Sequence, residues 1–472
     1  MTRKHVVLIV SDQHRGDLAG AAGNPWIRTP TIDALASRGV HFASTYCNSP
    51  LCGPSRMSFL TGLLPTRTNV HNNRQALASH TPTIAHAMGA AGYRTVLCGR
   101  MHFIGPDQRH GFHERLVGDH GPTNVAFREN PLGVFDGTTG QNLRALQQSG
   151  TGVSPVMLYD DEVTRAAIDR IASHDGDAPL FLVVGFYGPH NPYVCEPSRY
   201  ARYRATIPDL RREDLIDFYS QAHPGLRDWI ETRDFLDAEP EDLNRCRAGY
   251  YGLVERVDEL VGRTVNAVDR HLGRDNTVIS YTSDHGDMAG EHGLFFKSNM
   301  CEGAVRVPWV IAGSGVSPGA TVEAPVSLID LAPTLLELAG APPLPETDGT
   351  SLARSVRDGG EPPSRPVVSM LSDMRCGPSV MVRHGDAKLV RYHRLDSSDC
   401  VPDAAAPDLE RFIPDAWSGA ELDRRIHLQS ERSRLVREWA SGSPGEVFGE
   451  NDATEIYHWR ADLDRIHLED HV

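Results

Sequence analysis

Continuous apolar segments alternate with segments whose apolar positions recur at helical spacing along most of the chain. The apolar segments are predicted strands, and the segments between them are predicted amphipathic helices. Strands that are apolar throughout are buried on both faces, so we expect an α/β fold with a large mixed, mostly parallel sheet sandwiched by helices. The predicted strands are Val6–Val10, Arg94–Cys98, Leu180–Phe186, Thr277–Thr282 and Pro308–Ala312, and the predicted helices are Thr31–Gly39, Thr83–Gly92, Asp160–Ser173, Arg247–Leu272 and Leu328–Leu338.

The character of the chain changes at the linker-like segment Gly359–Pro363. We therefore predict a main domain over residues 1–364 and a smaller C-terminal α+β subdomain over residues 365–472, with a small antiparallel sheet and a helix. The elements predicted for this subdomain are the strands Pro366–Leu371, Ser379–Val382 and Lys388–Tyr392 and the helix Leu428–Ala440.

Two long polar segments with glycine and proline interrupt the main domain, at Pro106–Val156 and Pro197–Glu241. Long segments of this kind inside a compact domain are usually functional. We expect both insertions to shape a pocket.

Charge and cysteine content narrow the function classes. The 472 residues include 47 Lys and Arg against 62 Asp and Glu, a net charge of −15. Nucleic-acid binding needs basic residues, so it is not expected. The longest aliphatic run near the start, Val6–Val10, is too short for a membrane span or for the apolar core of a secretory signal. The eight cysteines have no paired spacing, so we expect a reduced, cytoplasmic setting without a membrane partner.

Polar side chains follow four of the predicted strands at the point where each strand ends. In open α/β sheets this edge is where ligands bind, so four such ends favour a binding site over solvated loops. These residues are Asp12 and Gln13 after the first strand, Arg100 and His102 after the second, His190 after the third, and Asp284 and His285 after the fourth.

Some of these residues have the oxygen atoms that hard cations prefer. The carboxylates of Asp12 and Asp284 and the amide oxygen of Gln13 suit Ca²⁺ or Mg²⁺. A nitrogen from His285 leaves Mn²⁺ or Zn²⁺ open. The alternative is that the two carboxylates only cap the loops after their strands.

A second candidate site is the segment Cys52-Gly-Pro54-Ser-Arg56. Pro54 fits the first turn of a helix, which places Cys52 just before a helix N-terminus. The free backbone N–H groups there favour an anion, and Arg56 adds a fixed positive charge. The segment can therefore hold a tetrahedral oxyanion against a nucleophile. A buried structural cysteine is the alternative.

The segment Cys52-x-Pro54-x-Arg56, followed by Thr61-Gly62, resembles the signature of the type I sulfatases, a family within the alkaline phosphatase superfamily. The segment Gly290-Glu291-His292-Gly293, with Lys297 and Arg306-Val307-Pro308 behind it, resembles another block of that family. The resemblance covers most of the main domain and implies the fold of this family.

The resemblance also implies a mechanism. Cys52 would be oxidised to formylglycine by a separate formylglycine-generating enzyme, and the hydrated aldehyde would attack sulfur. His190 or Lys297 would assist the leaving alkoxide, and His102 would take the proton that lets the intermediate expel sulfate. The implied catalytic residues are Cys52, Arg56, Arg100, His102, His190 and Lys297, the implied sulfate contact is Asn73, and the implied ligands of one divalent cation (Ca²⁺ first, with Mn²⁺ or Mg²⁺ open) are Asp12, Gln13, Cys52, Asp284 and His285.

Some features point to particular branches of the family. Gln13, where many members have Asp, resembles choline sulfatases and phosphonate monoesterases. The segment Gly99–Phe112 is similar to that of choline sulfatases, although Arg100 stands where the family usually has Lys. The C-terminal part of the chain does not resemble that of the family, because the usual D-P-x-E-x-N-L pattern does not come after Tyr392. The aromatic and acidic residues Trp26, Tyr46, Tyr159 and Asp160 are candidates for a cation pocket, with core packing as the alternative.

The resemblance therefore implies an enzyme that hydrolyses a small-molecule O-sulfate ester, with choline-O-sulfate as one candidate. A phosphonate monoester or phosphodiester hydrolase on the same scaffold is an alternative, as is a carbohydrate or aryl sulfatase. A further alternative is a catalytically silent binding protein in which Cys52 stays unmodified. Oligomers are common in the family, which leaves a homo-oligomer open.

Overall fold

The strands of the part of the chain that the structure describes fall into four sheets, the largest with eight strands. The structure is a computed structural model that describes residues 3–119, 140–176, 178–372 and 378–392, and the backbone of residues 397–401. The strands are β1 (His5–Asp12), β2 (Gly39–Phe42), β3 (Thr45–Tyr46), β4 (Arg94–Gly99), β5 (Glu114–Arg115), β6 (Gly150–Thr151), β7 (Leu180–Pro189), β8 (Val194–Cys195), β9 (Thr277–Ser283), β10 (Arg306–Val307), β11 (Trp309–Gly313), β12 (Ala320–Val322), β13 (Val326–Ser327), β14 (Val367–Leu371), β15 (Ser379–His384), β16 (Ala387–Tyr392) and β17 (Ser397–Val401).

Helices connect most of the long strands. Short 3₁₀ turns lie at Gly20–Ala22, Phe235–Asp237, Arg274–Asn276, Glu291–Gly293 and Leu328–Asp330, and a π turn lies at Asp269–Gly273. The α-helices are α1 (Pro30–Ser37), α2 (Cys52–Thr61), α3 (Pro65–Thr68), α4 (Ile84–Ala90), α5 (Leu143–Gln147), α6 (Pro155–Ala172), α7 (Pro197–Thr206), α8 (Arg212–Gln221), α9 (Pro224–Glu231), α10 (Pro240–Val268), α11 (Glu302–Val305), α12 (Leu331–Ala339) and α13 (Ala353–Asp358).

The central sheet has the strand order β12-β2-β11-β9-β1-β7-β4-β5. Strand β11 is antiparallel to both of its neighbours, and the other neighbouring pairs are parallel. In the middle, Val6 of β1 is paired with Phe181 on one side and with Val278 on the other. The predicted mixed, mostly parallel sheet is therefore confirmed.

Helices cover both faces of this sheet, as the continuous apolar strands predict. Successive side chains of a strand point to opposite faces. Val6, Leu8 and Val10 pack into one core with residues of α2, α4 and α12. Val7 and Ile9 pack into the other core with residues of α1, α6 and α10. All five side chains are inaccessible to solvent, so β1 is buried from Val6 to Val10.

Several helices begin or end at residues other than the predicted ones. The helix predicted to start at Asp160 starts at Pro155, because the Ser154 hydroxyl caps it by accepting from the Met157 backbone N–H at 3.3 Å. Proline at the first helical position favours the same start. Gly39, predicted to end α1, instead opens strand β2. The helix predicted over residues 247–272 begins earlier, at Pro240, and its last turn is a π turn.

The three C-terminal strands predicted from the sequence correspond to β14, β15 and β16, and they form an antiparallel sheet with β17, which was not predicted. Asn48, close to Cys52 in sequence, joins this sheet to the main domain. Its Nδ2 donates to the Val368 carbonyl at 2.9 Å, and its carbonyl accepts from the Met370 backbone N–H at 2.8 Å. The boundary between residues 364 and 365 stays a prediction, and the helix predicted over Leu428–Ala440 lies outside the described residues.

The insertion predicted at residues 197–241 folds into α7, α8 and α9. Its Trp229 is almost fully buried and donates its indole N–H to the Lys297 carbonyl at 3.1 Å. Residues 120–139 of the other insertion lie outside the described residues. Among the described helices, none is both long enough and apolar enough to cross a bilayer.

Candidate active site

The residues predicted from the strand ends lie together at the carboxyl edge of the central sheet. Asp12 ends β1, and Asp284 and His285 directly follow β9. The parallel register pairs Ser11 with Ser283, so Asp12 and Asp284 emerge at the same level. His285 Nε2 lies 3.6 Å from Asp12 Oδ1 and 3.6 Å from Asp284 Oδ1. The three side chains are fully buried.

Cys52 is the first residue of α2, and its side chain joins the same cluster. Its sulfur lies 3.1 Å from His285 Nε2, 3.3 Å from Lys297 Nζ and 3.7 Å from Asp12 Oδ1. The residue is 1% exposed. The thiol therefore faces ionisable groups, in contrast to a structural cysteine packed among apolar side chains.

Charged neighbours control the ionisation of the Cys52 thiol. Burial raises its pKa, but Lys297 and His285 bring that pKa well below its usual range. At Cys98, which lies in the sheet, burial raises the pKa to about 12. The surroundings of Cys52 thus favour the negatively charged thiolate, whereas the surroundings of Cys98 favour the neutral thiol.

The spacing of the cluster fits a single divalent cation. One donor atom from each of Asp12, Cys52, Asp284 and His285 lies within 4.8 Å of the others. Ligand atoms at about 2.3–2.6 Å from one Ca²⁺ lie at about 3.3–5.2 Å from one another. Two carboxylates, one imidazole and the position of the thiol can therefore surround one ion.

Hydrogen bonds outside the cluster turn its donor atoms inward. His285 Nδ1 donates to the Gly286 carbonyl at 3.0 Å, so Nε2 is the ring nitrogen that faces the cluster. Gln13 Oε1 lies in the same region, where it accepts from Lys297 Nζ at 2.6 Å. Gln13 thus offers the amide oxygen that the sequence predicted as a ligand.

Arg56 is a fully buried guanidinium between the two carboxylates. Its Nε donates to Asp284 Oδ2 at 2.8 Å, and one terminal nitrogen donates to Asp12 Oδ2 at 3.2 Å. The other terminal nitrogen donates to the Arg100 carbonyl at 2.9 Å. Because both carboxylates turn Oδ2 toward Arg56, the Oδ1 atom of each is left facing the cluster around Cys52.

Arg100 joins three side chains of the site. Its Nε donates to Asp12, one terminal nitrogen donates to His102 Nδ1 at 3.1 Å, and its guanidinium carbon lies 4.0 Å from the centre of the Tyr187 ring. Burial raises the pKa of Asp12, but Arg100 holds it below its usual range. A planar fork makes these contacts together, whereas an ammonium group is a single point charge.

His102 is fixed at both ring nitrogens. Its Nδ1 accepts from Arg100, so the neutral ring carries its proton on Nε2, which donates to the Asn73 carbonyl at 3.2 Å. Its backbone is left-handed, with φ 62°. Asp119 Oδ1 holds this turn by accepting from the backbone N–H groups of His102 at 2.9 Å and Met101 at 3.0 Å.

Asn73 and His190 complete the predicted set. Asn73 Oδ1 accepts from the Gly53 backbone N–H at 2.7 Å, directly beside Cys52. His190 Nδ1 donates to the Asn191 carbonyl at 2.8 Å, which leaves Nε2 as the proton-accepting nitrogen. A hydrogen bond between His190 and Cys52 helps to lower the pKa of the Cys52 thiol. The predicted site residues therefore lie in one cluster, in which Asn73 and His102 are half-buried and the others are buried.

A family model described as Sulfatase matches residues 4–341. The chain belongs to the sulfatase family. The choline-sulfatase of Rhizobium meliloti (strain 1021) is 36% identical to this sulfatase over 411 residues, which cover 84% of this chain and 79% of that relative. The arylsulfatase of Clostridium perfringens (strain 13 / Type A) is 29% identical over 387 residues, 74% of this chain and 78% of that relative.

A solved structure supports the fold of this sulfatase. The phosphonate monoester hydrolase of Agrobacterium radiobacter superposes with a TM-score of 0.68 at 23% identity, covering 93% of this chain and 96% of that one. The family resemblance and the fold class inferred from the sequence are thus confirmed, and the protein is a sulfatase-family enzyme.

The Lys297 loop of the sulfatase has an unusual backbone. Phe296 and Ser298, on either side of Lys297, have left-handed φ values of 69° and 67°. Residues other than glycine rarely adopt this conformation unless their surroundings hold it. The Phe296 backbone N–H donates to Asp287 Oδ1 at 3.2 Å, and the Ser298 backbone N–H donates to the Pro50 carbonyl at 3.2 Å.

Sequence reasoning missed three supporting residues of the sulfatase: Asp119, Tyr193 and Trp229. Each contacts a predicted residue that is distant in sequence or contacts it through a backbone group, so no local pattern identifies its partner. Asp287 lies in the same Ser-Asp-His-Gly-Asp segment as Asp284, which suggests a loop cap or a ligand, and its Oδ1 accepts from two backbone N–H groups of the loop, as a cap does.

Two candidates for a cation pocket have structural contacts instead. Asp160 accepts from the backbone N–H groups of Tyr187 at 2.6 Å and Gly188 at 2.8 Å. The Tyr159 hydroxyl donates to the Gly118 carbonyl at 2.6 Å. Both side chains are buried, so their contacts are those of the packing alternative.

Proposed function

We propose that this sulfatase hydrolyses a small-molecule O-sulfate ester and that choline-O-sulfate is the first substrate to test. The position of Cys52 carries the proposal, because its buried sulfur lies 3.1 Å from His285 Nε2 and 3.3 Å from Lys297 Nζ. A nucleophile formed at this position would have the candidate cation ligands and a fixed ammonium around it. The 36% identity to a protein named choline-sulfatase supports the choice of ester.

The proposed nucleophile is formylglycine at position 52. A hydrated aldehyde supplies one hydroxyl for attack on sulfur and a second whose deprotonation expels sulfate, which the side chain of unmodified Cys or Ser does not supply. The low pKa of the Cys52 thiol indicates that its surroundings stabilise an anion at this position. The same surroundings would stabilise an ionised hydroxyl there.

Asp12, Gln13, Asp284, His285 and residue 52 would hold one divalent cation, for which we propose Ca²⁺ because oxygen donors dominate. A bound cation supplies Lewis-acid stabilisation of negative charge at the reacting group. Arg56 keeps Oδ2 of both carboxylates engaged and turns their Oδ1 atoms toward the proposed cation. Asp284 Oδ1 also accepts from the backbone N–H groups of Gln13 at 3.1 Å and His285 at 2.9 Å, which fix its position.

Lys297, Arg100 and the two histidines supply the remaining proposed roles. The Lys297 ammonium, 3.3 Å from Cys52 Sγ, would stabilise negative charge at residue 52. The proton for the leaving alkoxide would come from Lys297 Nζ, or from His190 Nε2 once that nitrogen has taken up a proton, because His190 Nδ1 already donates to the Asn191 carbonyl. His102 would act as the base after Arg100 releases its Nδ1 atom, which is the proton-accepting nitrogen of the neutral ring.

Product release from several esters tests the proposal. Protein coexpressed with a formylglycine-generating enzyme would be assayed with choline-O-sulfate, an aryl sulfate and an aryl phosphonate monoester. Cys52→Ala should abolish turnover, and Cys246→Ala, which removes another buried thiol, should not. Fastest turnover of choline-O-sulfate supports the proposal, whereas fastest turnover of the phosphonate establishes the alternative reaction on the same scaffold.

An equal rate for the Cys52→Ala variant would overturn the proposed nucleophile. Maturation by a formylglycine-generating enzyme, a cytoplasmic location and a homo-oligomeric state stay predictions from the sequence.

A further inference from the structure

The side-chain amide of Gln13 is held on three sides. Its Nε2 donates to Asp287 Oδ2 and to the Tyr193 hydroxyl at 3.3 Å, and its Oε1 accepts from Lys297 Nζ at 2.6 Å. Tyr193 in turn donates to Asp287 Oδ2 at 2.6 Å. Gln13, Tyr193, Asp287 and Lys297 are all buried, so water does not substitute for these partners.

Only one orientation of the amide satisfies these neighbours. An ionised carboxylate accepts hydrogen bonds and cannot donate them, and an ammonium donates and cannot accept. If the amide turned over, Oε1 would face the carboxylate of Asp287 and Nε2 would face Lys297. The first contact would place two acceptors together and the second would place two donors together. Both would lie in a buried environment, where unsatisfied polar groups are costly.

Asp287 also holds the loop that bears Lys297. Its Oδ1 accepts from the backbone N–H groups of Ala289 at 2.6 Å and Phe296 at 3.2 Å. One carboxylate therefore fixes both the amide of Gln13 and the backbone next to the ammonium that this amide contacts. Its two oxygens divide these tasks, since Oδ1 serves the loop and Oδ2 serves Gln13.

We propose that Asp287 is a positioning residue that fixes the Gln13 amide with Oε1, its one metal-binding atom, turned toward Cys52 and Lys297. The inference rests on the proposed function, because it assigns the purpose of this orientation to binding the cation. Asp287 itself is not placed among the cation ligands, because each of its two oxygens already accepts two hydrogen bonds from protein groups.

The substitution Asp287→Asn separates the two tasks. Asn Oδ1 would keep the place of Asp287 Oδ1, where it accepts from the two backbone N–H groups. The amide nitrogen would then face Gln13 and Tyr193. The Tyr193 hydroxyl can rotate to accept, but the Gln13 amide must turn over and present nitrogen to the cation site.

A second substitution should restore the oxygen. In the double variant Gln13→Glu/Asp287→Asn, one carboxylate oxygen of Glu accepts from the new amide and the other faces the cation site. In Gln13→Glu alone, two carboxylates face each other across the position of the present hydrogen bond. We therefore expect the double variant to bind the cation more tightly than either single variant.

The test measures the Ca²⁺ concentration that gives half-maximal thermal stabilisation of the full chain, coexpressed with a formylglycine-generating enzyme, and needs no substrate. Asp287→Asn should raise this midpoint by about 10- to 100-fold, the usual effect of losing a partner that orients a metal ligand. The matched control is Asp258→Asn, another buried carboxyl that accepts from two backbone N–H groups, at 2.8 Å and 3.0 Å. It should lower Tm without moving the midpoint.

The inference is overturned, and the proposed cation site is not, by either of two results. The first is an unchanged midpoint in Asp287→Asn, and the second is a double variant that binds Ca²⁺ no more tightly than Asp287→Asn. If the unaltered chain is not stabilised by Ca²⁺, Mg²⁺ or Mn²⁺, the proposed cation site fails, and the inference fails with it. A crystal structure of the unaltered, Ca²⁺-loaded protein is an independent check if a variant does not fold. Gln13 Oε1 on the ion and Nε2 on Asp287 support the inference, and any other arrangement overturns it.

Discussion

The ammonium nitrogen of Lys297 lies 3.3 Å from the sulfur of Cys52. Both residues are only 1% exposed, and charges interact much more strongly in such an environment than in water. The contact joins the first residue of α2 to a loop with left-handed backbone, far away in sequence. It places an amine-bearing side chain directly next to the proposed nucleophile.

Replacing Lys297 with Ala should lower kcat by about 100- to 1000-fold, the usual effect of losing one preorganised group that stabilises developing charge. Sulfate release from the substrate that the unaltered protein prefers is the measurement. Lys4→Ala is the matched control, because Lys4 immediately precedes β1, at the end of the sheet opposite the site. If kcat of Lys297→Ala stays within a few-fold of the unaltered value, Lys297 does not stabilise charge in the rate-limiting step.

Replacing Arg56 with Met should destabilise the protein by about 3–5 kcal/mol, because Asp12 and Asp284 then lose a buried partner. Urea unfolding at neutral pH measures this free energy. Arg165→Met removes an exposed arginine with two ion pairs and should leave the free energy of unfolding nearly unchanged, because solvent screens such pairs. Equal effects of the two substitutions would contradict the structural role of Arg56.

Arg100→Lys tests whether the planar fork is needed. Lys keeps the charge beside Asp12 but cannot also donate to His102 Nδ1 and lie over the Tyr187 ring with the same geometry. We expect a loss of about tenfold in kcat/KM, and a loss of about 100-fold or more for Arg100→Met. Identical rates for the Lys and Met variants would show that the charge of Arg100 has no part in catalysis.

Acid should destabilise the protein through His5. Burial and the neighbouring His174 lower the pKa of His5 to about 4, below its usual value of 6.5. Between these pH values the unfolded state binds a proton at His5 more readily than the folded state does. The contribution of His5 to the free energy of unfolding is therefore complete above pH 6.5 and is lost as the pH falls toward 4. Tm should therefore fall between about pH 7 and pH 5.

The variant His5→Asn checks that assignment. Asn has an oxygen that can replace Nδ1 as the acceptor of the Leu180 backbone N–H, now at 3.0 Å, and it does not titrate. Its Tm should fall less over the same pH interval. The same pH dependence in both proteins would place the acid sensitivity elsewhere.

The sequence was sufficient for the sheet and for the cluster because both follow from rules that act along the chain. Apolar strands predicted β1 and β9, and the parallel pairing of Ser11 with Ser283 brings Asp12 and Asp284 to one edge. The position of Cys52 at the start of α2 followed from the proline two residues later. These positions depend on local pattern and on topology.

The supporting contacts could not be predicted, because they depend on which side chains meet in three dimensions. Asp287 lies 274 positions from the Gln13 amide that it orients. Arg56 was expected to act on the reacting group, but the structure turns its guanidinium toward two carboxylates. The start of α6 was missed for a different reason, because Ser154 and Pro155 form a start signal outside the apolar pattern.

The most direct test of the account compares formylglycine content with sulfate release. Preparations with different extents of conversion, made with and without a formylglycine-generating enzyme, would be analysed by mass spectrometry of the peptide that contains residue 52. The account predicts that the rate of sulfate release is proportional to the converted fraction and is zero in fully unconverted protein. Full activity in a preparation whose residue 52 is entirely unmodified cysteine would contradict it.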